Sequence, residues 1–178
     1  MTAPVTTQWT VDALQALPGG GLEFEVVDGQ RYRLAFHTAS HENAIALLSH
    51  LLTDHLGRHS VAQFRRAPTQ LVIGARTLLR PDVIVLPAAN SAPPLLVVEV
   101  LSPATATIDR GPKRILYQEL GVGELWLLDL DQEMVERWRT TAEAAEIVRD
   151  RLVWRADPAA IPFELFLPAF FGEVHLED

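Results

Sequence analysis

Cysteine is absent from the 178 residues. That excludes a disulfide scaffold, a thiol nucleophile and any Cys-ligated zinc. Long apolar runs are absent too. The best of them, Leu95–Leu101, is interrupted by Glu99 and falls far short of the roughly 20 residues a membrane-spanning helix needs. Met1–Thr10 holds neither a basic n-region nor an apolar h-region, so no secretory signal is expected. These absences point to a soluble, cytoplasmic protein. A phosphate-binding glycine loop is also lacking, because Gly19–Gly21 has neither the following lysine nor a strand–loop–helix context. No serine sits in a nucleophile-elbow sequence. The six histidines offer no convincing metal pair: Ser40 places a helix start between His37 and His41, and Gly57 separates His55 from His59.

Positive charge is scarce. Fifteen basic residues face 23 acidic ones, for a formal charge of −8. A protein that coats nucleic acid would usually be basic, although a small basic groove beside a carboxylate site remains compatible with this sum. Lysine is the scarcest of the charged types, since Lys113 stands alone among 14 arginines. Compositional bias would explain this. So would a site that needs a compact ammonium on a flexible stem, which a planar guanidinium does not imitate.

What is present reads as one globular domain over 1–178, with 48% hydrophobic residues and no internal repeat. The core spans about 22–139, and further strands and an aromatic tail occupy 140–178. Val11, Leu14 and Leu17 share one face of a short helix that begins at Thr10 and stops at Pro18. Leu22–Val27 and Gln30–Phe36 flank Asp28-Gly29, a hairpin signal. Ser40 is a plausible N-cap for a helix over His41–Leu56, with Gly57 as its C-cap. Ser60–Arg66 and Gln70–Ile73 read as strands around Ala67-Pro68, and Val83–Leu86 as a short β-branched strand. Leu95–Leu101 has the pattern of a central strand buried on both faces. A helix follows over about Ala106–Leu120, then strands at Glu124–Leu130 and Glu133–Arg139, and a further one within Glu146–Trp154. Phe163, Phe166, Phe170 and Phe171 are expected to cover one end of the core. The order predicts an α/β or α+β architecture around a mixed sheet.

Glu99 is the most anomalous residue. An ionised carboxylate inside the most buried strand costs several kcal/mol unless it is paired or bound to a metal. It either reaches solvent or a buried arginine near the strand's end, or it faces a cleft there, where open α/β sheets place their sites. Asp82 follows Pro81 at the start of the preceding strand; alone it reads equally well as a turn residue. Antiparallel pairing would bring Asp82 beside Glu99, with Cβ atoms about 5 Å apart. Two carboxylates at that range call for a cation, and Mg²⁺ suits carboxylate oxygens. Asp109, Lys113 and Tyr117 recur at four-residue spacing on one helical stripe. The bland alternative for the first two is an exposed helix pair. An ion, two carboxylates and an ammonium form a set suited to phosphodiester hydrolysis. A buried Glu99–Lys113 pair with no room for an ion would instead mark a purely structural domain. Arg58, Arg65, Arg66, Arg76 and Arg80 are the best candidates for phosphate contacts, although solvated strand edges are as good a reading.

Three stretches carry a resemblance: Arg80-Pro81-Asp82-Val83-Ile84-Val85; Leu96 to Thr105, including Glu99 and Ser102-Pro103; and Asp109, Lys113 and Tyr117 followed by Gly121-Val122-Gly123-Glu124-Leu125-Trp126. They resemble the Uma-type family of putative restriction endonucleases, a branch of the PD-(D/E)XK nuclease superfamily. Phe24–Gly29 and the helix opening at Ser40-His41 are similar to its N-terminal half, so the resemblance runs from about Leu17 to Arg139. It implies a restriction endonuclease-like core and a Mg²⁺-dependent endonuclease acting on DNA, with Mn²⁺ as a substitute. Asp82 and Glu99 would be the metal ligands and Lys113 the catalytic lysine. Glu25, His41, Ser102, Asp109 and Tyr117 would support the site. The superfamily places its lysine two residues after the glutamate. Leu101 holds that position here, so Lys113 would come from the following helix. His41 taken alone is more often a capping or core-edge residue. A restriction-fold module that no longer cuts, acting as a nucleic-acid or protein binding partner, is the alternative. A homodimer is expected from the need to cut two strands, with Glu133–Arg139 and Trp138 as its apolar edge.

Overall fold

In the computed structural model, residues 8–34, 36–58, 69–88 and 92–176 are described in full and 62–66 by their backbone. The Asp28-Gly29 signal gives the expected hairpin, β1 (Phe24–Val27) with β2 (Gln30–Arg33), in register Val27↔Gln30. Asp28 (φ 45°) and Gly29 (φ 81°) both take the left-handed backbone that a tight primed turn requires. A helix, α1 (Val11–Gln15), precedes them, and Thr10 caps it by accepting a hydrogen bond from the Ala13 amide. β1 also pairs with β5 (Thr77–Leu79), and β5 pairs with β4 (Leu71–Ile73), which completes a four-stranded sheet, β2-β1-β5-β4. β5 has no counterpart in the sequence reading, because three residues between a loop and Arg80-Pro81 show no periodicity.

The larger sheet has six strands in the order β10-β9-β8-β7-β6-β3. These are β3 (Ala62–Arg66), β6 (Val83–Pro87), β7 (Leu96–Val100), β8 (Glu124–Asp129), β9 (Met134–Arg139) and β10 (Glu146–Val148). β7 and β8 run parallel, as a strand–helix–strand connection requires, while β6 and β7 run antiparallel with Val83 opposite Val98. Every residue of β7 is buried. The two-residue period sorts its side chains: Leu96, Val98 and Val100 join one core, and Val97 joins another.

Two helices pack on the first face. α2 (Ala39–Gly57) buries Ala44, Ile45, Leu48 and Leu52, and α5 (Leu167–Val174) buries Phe170, Phe171 and Val174. The cap of α2 is Thr38, whose hydroxyl accepts from the His41 amide, and Ser40 lies inside the first turn. The expectation of a Ser40 cap is therefore corrected by two residues; either hydroxyl satisfies the capping rule. The Glu146–Trp154 segment is two strands. β10 extends the large sheet, and β11 (Arg151–Trp154) pairs with β12 (Phe163–Phe166) in a separate ribbon that closes the first core with Trp154 and Phe163. Of the aromatic tail, Phe163, Phe170 and Phe171 are buried and Phe166 is exposed.

The second face carries the broken helix that follows β7. The sequence reads as one helix to Leu120. The chain instead forms α3 (Ala106–Ile108), a π turn over Asp109–Lys113, and α4 (Arg114–Glu119). Gly111 leaves helical geometry (φ −101°, ψ −108°), and Pro112 beside it offers no amide hydrogen. The expected dimer edge is also corrected. β9 is not an outer strand, because β10 pairs with it, and half-buried Trp138 stacks under the Arg114 guanidinium at 4.4 Å. The turn at Ala67-Pro68, along with His59 and Ser60, lies outside the described residues. Among the described residues no helix is long and apolar enough to cross a membrane.

Candidate active site

Chain segments far apart in sequence deliver charged groups to one place at the end of β7. Asp82 immediately precedes β6, next to the Val83↔Val98 pair, and Glu99 follows Val98 on β7, so the two carboxylates are close enough to repel. Asp82 Oδ2 accepts the Val100 amide at 2.7 Å. Glu25 comes from β1, one step before the buried Val26, and accepts the Arg80 amide. The π turn supplies Asp109 and Lys113, and α4 supplies Tyr117. All these charged groups are buried: Glu25 4%, Asp82 7%, Glu99 4%, Asp109 3% and Lys113 4% exposed.

Lys113 is the hub. Its Nζ lies 2.8 Å from Glu99 Oε1, 3.0 Å from Asp109 Oδ1 and 3.2 Å from Glu25 Oε2. An ammonium has three N–H donors, and here three carboxylates surround it. The Tyr117 hydroxyl donates to Glu99 Oε1 at 2.6 Å. Burial acts to lower the Lys113 ammonium, but Glu99, Glu25 and Asp109 overcome it and hold the group well above its ordinary value. Lys113 therefore stays charged. Burial pushes Glu99 well above the usual carboxylate range. Lys113 opposes this, and Asp109, Asp82 and Glu25 add to it. Burial, with the Glu99 charge, also raises Tyr117, which remains a donor. Four carboxylates against the Lys113 ammonium and the buried Arg80 guanidinium still leave an excess of negative charge in a desolvated place, which a proton on Glu99 or a cation relieves.

Beside the cluster is a cavity of about 240 Å³ lined by Glu25, Asp82, Glu99, Asp109, Lys113 and Arg80, with His37, His41, Ser102 and Thr105 among the other walls. Glu99 and Lys113 thus touch, as a structural pair would, and a space remains next to them. His41 is buried, and its Nε2 has no hydrogen-bond partner and stands 3.6 Å from Asp82 Oδ2. Ser102 Oγ is 3.0 Å from Thr105 Oγ1 and accepts the Thr105 amide, which shapes the turn after β7. The donor chemistry suits a divalent ion: carboxylate oxygens in excess of their counter-charge, and an orphaned buried nitrogen facing one of them.

One feature was missed in the sequence. His37 and His41 do come together, with rings stacked at 4.0 Å, and a nitrogen of each lies with an Asp82 oxygen inside a 4.8 Å span. This corrects the view that a helix start between them keeps them apart; a chain turning into a helix folds its preceding residue back over the first turn. Arg80 is buried, and its Nε donates to the Phe24 carbonyl at 3.0 Å, while Nη1 has no hydrogen-bond partner. Burial lowers its pKa, and Glu25 partly offsets this. Of the other arginines named as phosphate contacts, Arg58 and Arg76 are tied to Asp54 and Asp28. The side chains of Arg65 and Arg66 lie outside the described residues.

A family described as "Uma2: Putative restriction endonuclease" matches residues 11–169. No curated protein matches the chain. Among solved structures, a putative nuclease belonging to DUF820 from Anabaena variabilis ATCC 29413 aligns over 93% of this chain and 99% of that one. Its TM-score is 0.76 at 17% sequence identity. That likeness establishes the fold as the mixed α/β, restriction endonuclease-like architecture expected from the sequence.

Proposed function

We propose, from the premise that this chain belongs to the Uma2 family of putative restriction endonucleases, that it is a divalent-ion-dependent endonuclease. Its reaction would be hydrolysis of DNA phosphodiester bonds in the cytoplasm. The supporting observation is the convergence of Glu25, Asp82, Glu99, Asp109 and Lys113, all buried, on one cavity.

Asp82 and Glu99 would hold the ion, Mg²⁺ or Mn²⁺ in its place. When bound, it supplies polarisation of a phosphoryl oxygen and a lowered pKa for a coordinated water. The chain's own residues hold the geometry and the remaining charge. Tyr117 fixes Glu99 by donating to Oε1, which leaves Oε2 as the other acceptor of that carboxylate. The Val100 amide fixes Asp82 in the same way. Lys113 keeps a positive charge where negative charge grows on the phosphoryl group, and an N–H there can orient a water. Its three donors are shared among three carboxylates, so a substrate oxygen or water must displace one. Glu25 makes the longest of the three contacts, at 3.2 Å. Arg80 Nη1, buried at the cavity wall without a hydrogen-bond partner, would take a phosphate oxygen.

The 2.8 Å contact between Lys113 and Glu99 favours a second reading, a restriction-fold module whose ion pair is structural and which binds nucleic acid or protein without cutting. Plasmid cleavage with Mg²⁺ or Mn²⁺ separates the two. The wild type should nick DNA, and Asp82→Asn, Glu99→Gln and Lys113→Ala should each lose about 10²-fold or more, the scale of one lost electrostatic stabiliser. Equal activity in all four refutes the site. A wild type silent on duplex DNA, single-stranded DNA and RNA leaves the non-cutting module. Two-fold pairing would serve the cutting of both strands, and sedimentation at micromolar concentration tests for the dimer.

A further inference from the structure

The donors on the α2 side of Asp82 are of a different kind from those around Lys113. His37 Nδ1 lies 2.5 Å from Glu42 Oε1. A carboxylate only accepts, so Nδ1 is the donor in this contact, and Nε2 is the ring nitrogen left to face an ion. A carboxylate behind a histidine is the usual support of a metal-ligating imidazole. His41 is held by its place in the first turn of α2, and its side chain is only 8% exposed. Its Nε2 has no hydrogen-bond partner, although Asp82 Oδ2 is 3.6 Å away. That separation is too long for a hydrogen bond. It is close to the spacing of two donors on one tetrahedral ion, about 3.4 Å for bonds of about 2.1 Å. Nitrogens of both rings and an oxygen of Asp82 all fall within 4.8 Å of one another.

We propose that His37, His41 and Asp82 form a second ion position, for a borderline transition ion of the Zn²⁺ class. It shares Asp82 with the carboxylate position, and only in that shared residue does it rest on the nuclease reading. Two imidazoles and one carboxylate disfavour Mg²⁺, which takes oxygen ligands and gives up its waters reluctantly. They suit the later first-row ions, whose affinity for nitrogen donors is higher. Glu42 is the supporting group, since it holds the His37 ring through Nδ1. Sharing one carboxylate couples the two positions, so occupancy of either changes the affinity of the other by the same factor.

Calorimetric titration of the metal-stripped full chain with Zn²⁺ alone, and separately with Mn²⁺, tests this. One Zn²⁺ should bind per chain. His37→Ala and His41→Gln should each weaken Zn²⁺ by about tenfold or more, and Glu42→Gln by less. Glu99→Gln should leave Zn²⁺ binding in place while removing Mn²⁺ from the carboxylate position. His37 is one-third exposed, so its replacement leaves the core intact and keeps the test decisive. Zn²⁺ affinity unchanged by His37→Ala, or lost together with Mn²⁺ in Glu99→Gln, overturns the second position. Histidine-dependent Zn²⁺ binding in a protein that cuts nothing keeps this inference and defeats the nuclease reading. Cleavage without histidine-dependent Zn²⁺ binding does the reverse.

Discussion

Replacing Lys113 by methionine keeps the length of the stem and removes the charge. The ammonium is 5% exposed and sits within 3.2 Å of three carboxylates. Breaking a buried ion pair by deleting one partner costs about 3–5 kcal/mol, because the other charge is left uncompensated. In a chain of 178 residues each kcal/mol shifts Tm by about 2–4 °C, so the loss reads as about 6–20 °C. Its pH dependence has a definite sign. Lys113 opposes the burial that raises Glu99, so the variant pushes Glu99 further above its unfolded value near 4.5. A carboxyl raised in the folded state binds its proton more readily when folded, and its stability contribution falls as pH rises through that window. The deficit of Lys113→Met is therefore largest at neutral and alkaline pH and shrinks toward pH 4.5. The wild type alone should also lose stability above pH 10.5, where the raised lysine begins to titrate in the unfolded chain. Urea unfolding from about pH 5 to about pH 11 measures this, and adding Glu99→Gln should recover part of the loss. A variant within about 1 kcal/mol of wild type at pH 8, with the same pH profile, would show that the ammonium does not compensate these carboxylates.

Glu99→Gln, alone, should raise Tm at pH 8 while abolishing cleavage, because its raised pKa means that the ionised form is disfavoured by folding; a lower Tm would contradict this. Tyr117→Phe removes a 2.6 Å hydrogen bond to Glu99 and should cost about 1.5–3 kcal/mol in urea unfolding. Gly123→Ala should destabilise by about 1–3 kcal/mol, since its Cβ would lie 2.7 Å from the Leu95 carbonyl oxygen where β8 begins beside β7.

Local patterns in the sequence accounted for the hairpin at Asp28-Gly29, the buried strand around Glu99 and the parallel return at Glu124. Each is set by a short-range rule: a turn that needs positive φ, an apolar run without polar alternation, a crossover length. The register that brings Asp82 close to Glu99 followed from one assumption, antiparallel pairing, which the fold satisfies. The rest depended on tertiary context. β5 is only three residues long and is held by β1 and β4, so its own sequence does not announce it. The break at Gly111-Pro112 was visible as a Gly-Pro pair, but regular spacing of Asp109, Lys113 and Tyr117 masked it; the π turn keeps Asp109 and Lys113 on the same side regardless. β10 covers β9, a pairing of distant strands that alternation within β9 cannot show. The His37–His41 stack was hidden by a helix start that the wrong hydroxyl marked. Arg80 was named only as one arginine of a stretch, and its burial comes from β1 and the Gly21 carbonyl.

The most direct test of the account is a crystal soaked in Mn²⁺, read by anomalous scattering. The account predicts a peak in the cavity, with Asp82 and Glu99 as ligands and Lys113 still beside them. A cavity without a peak at millimolar Mn²⁺, with Lys113 and Glu99 in unbroken contact, would contradict it.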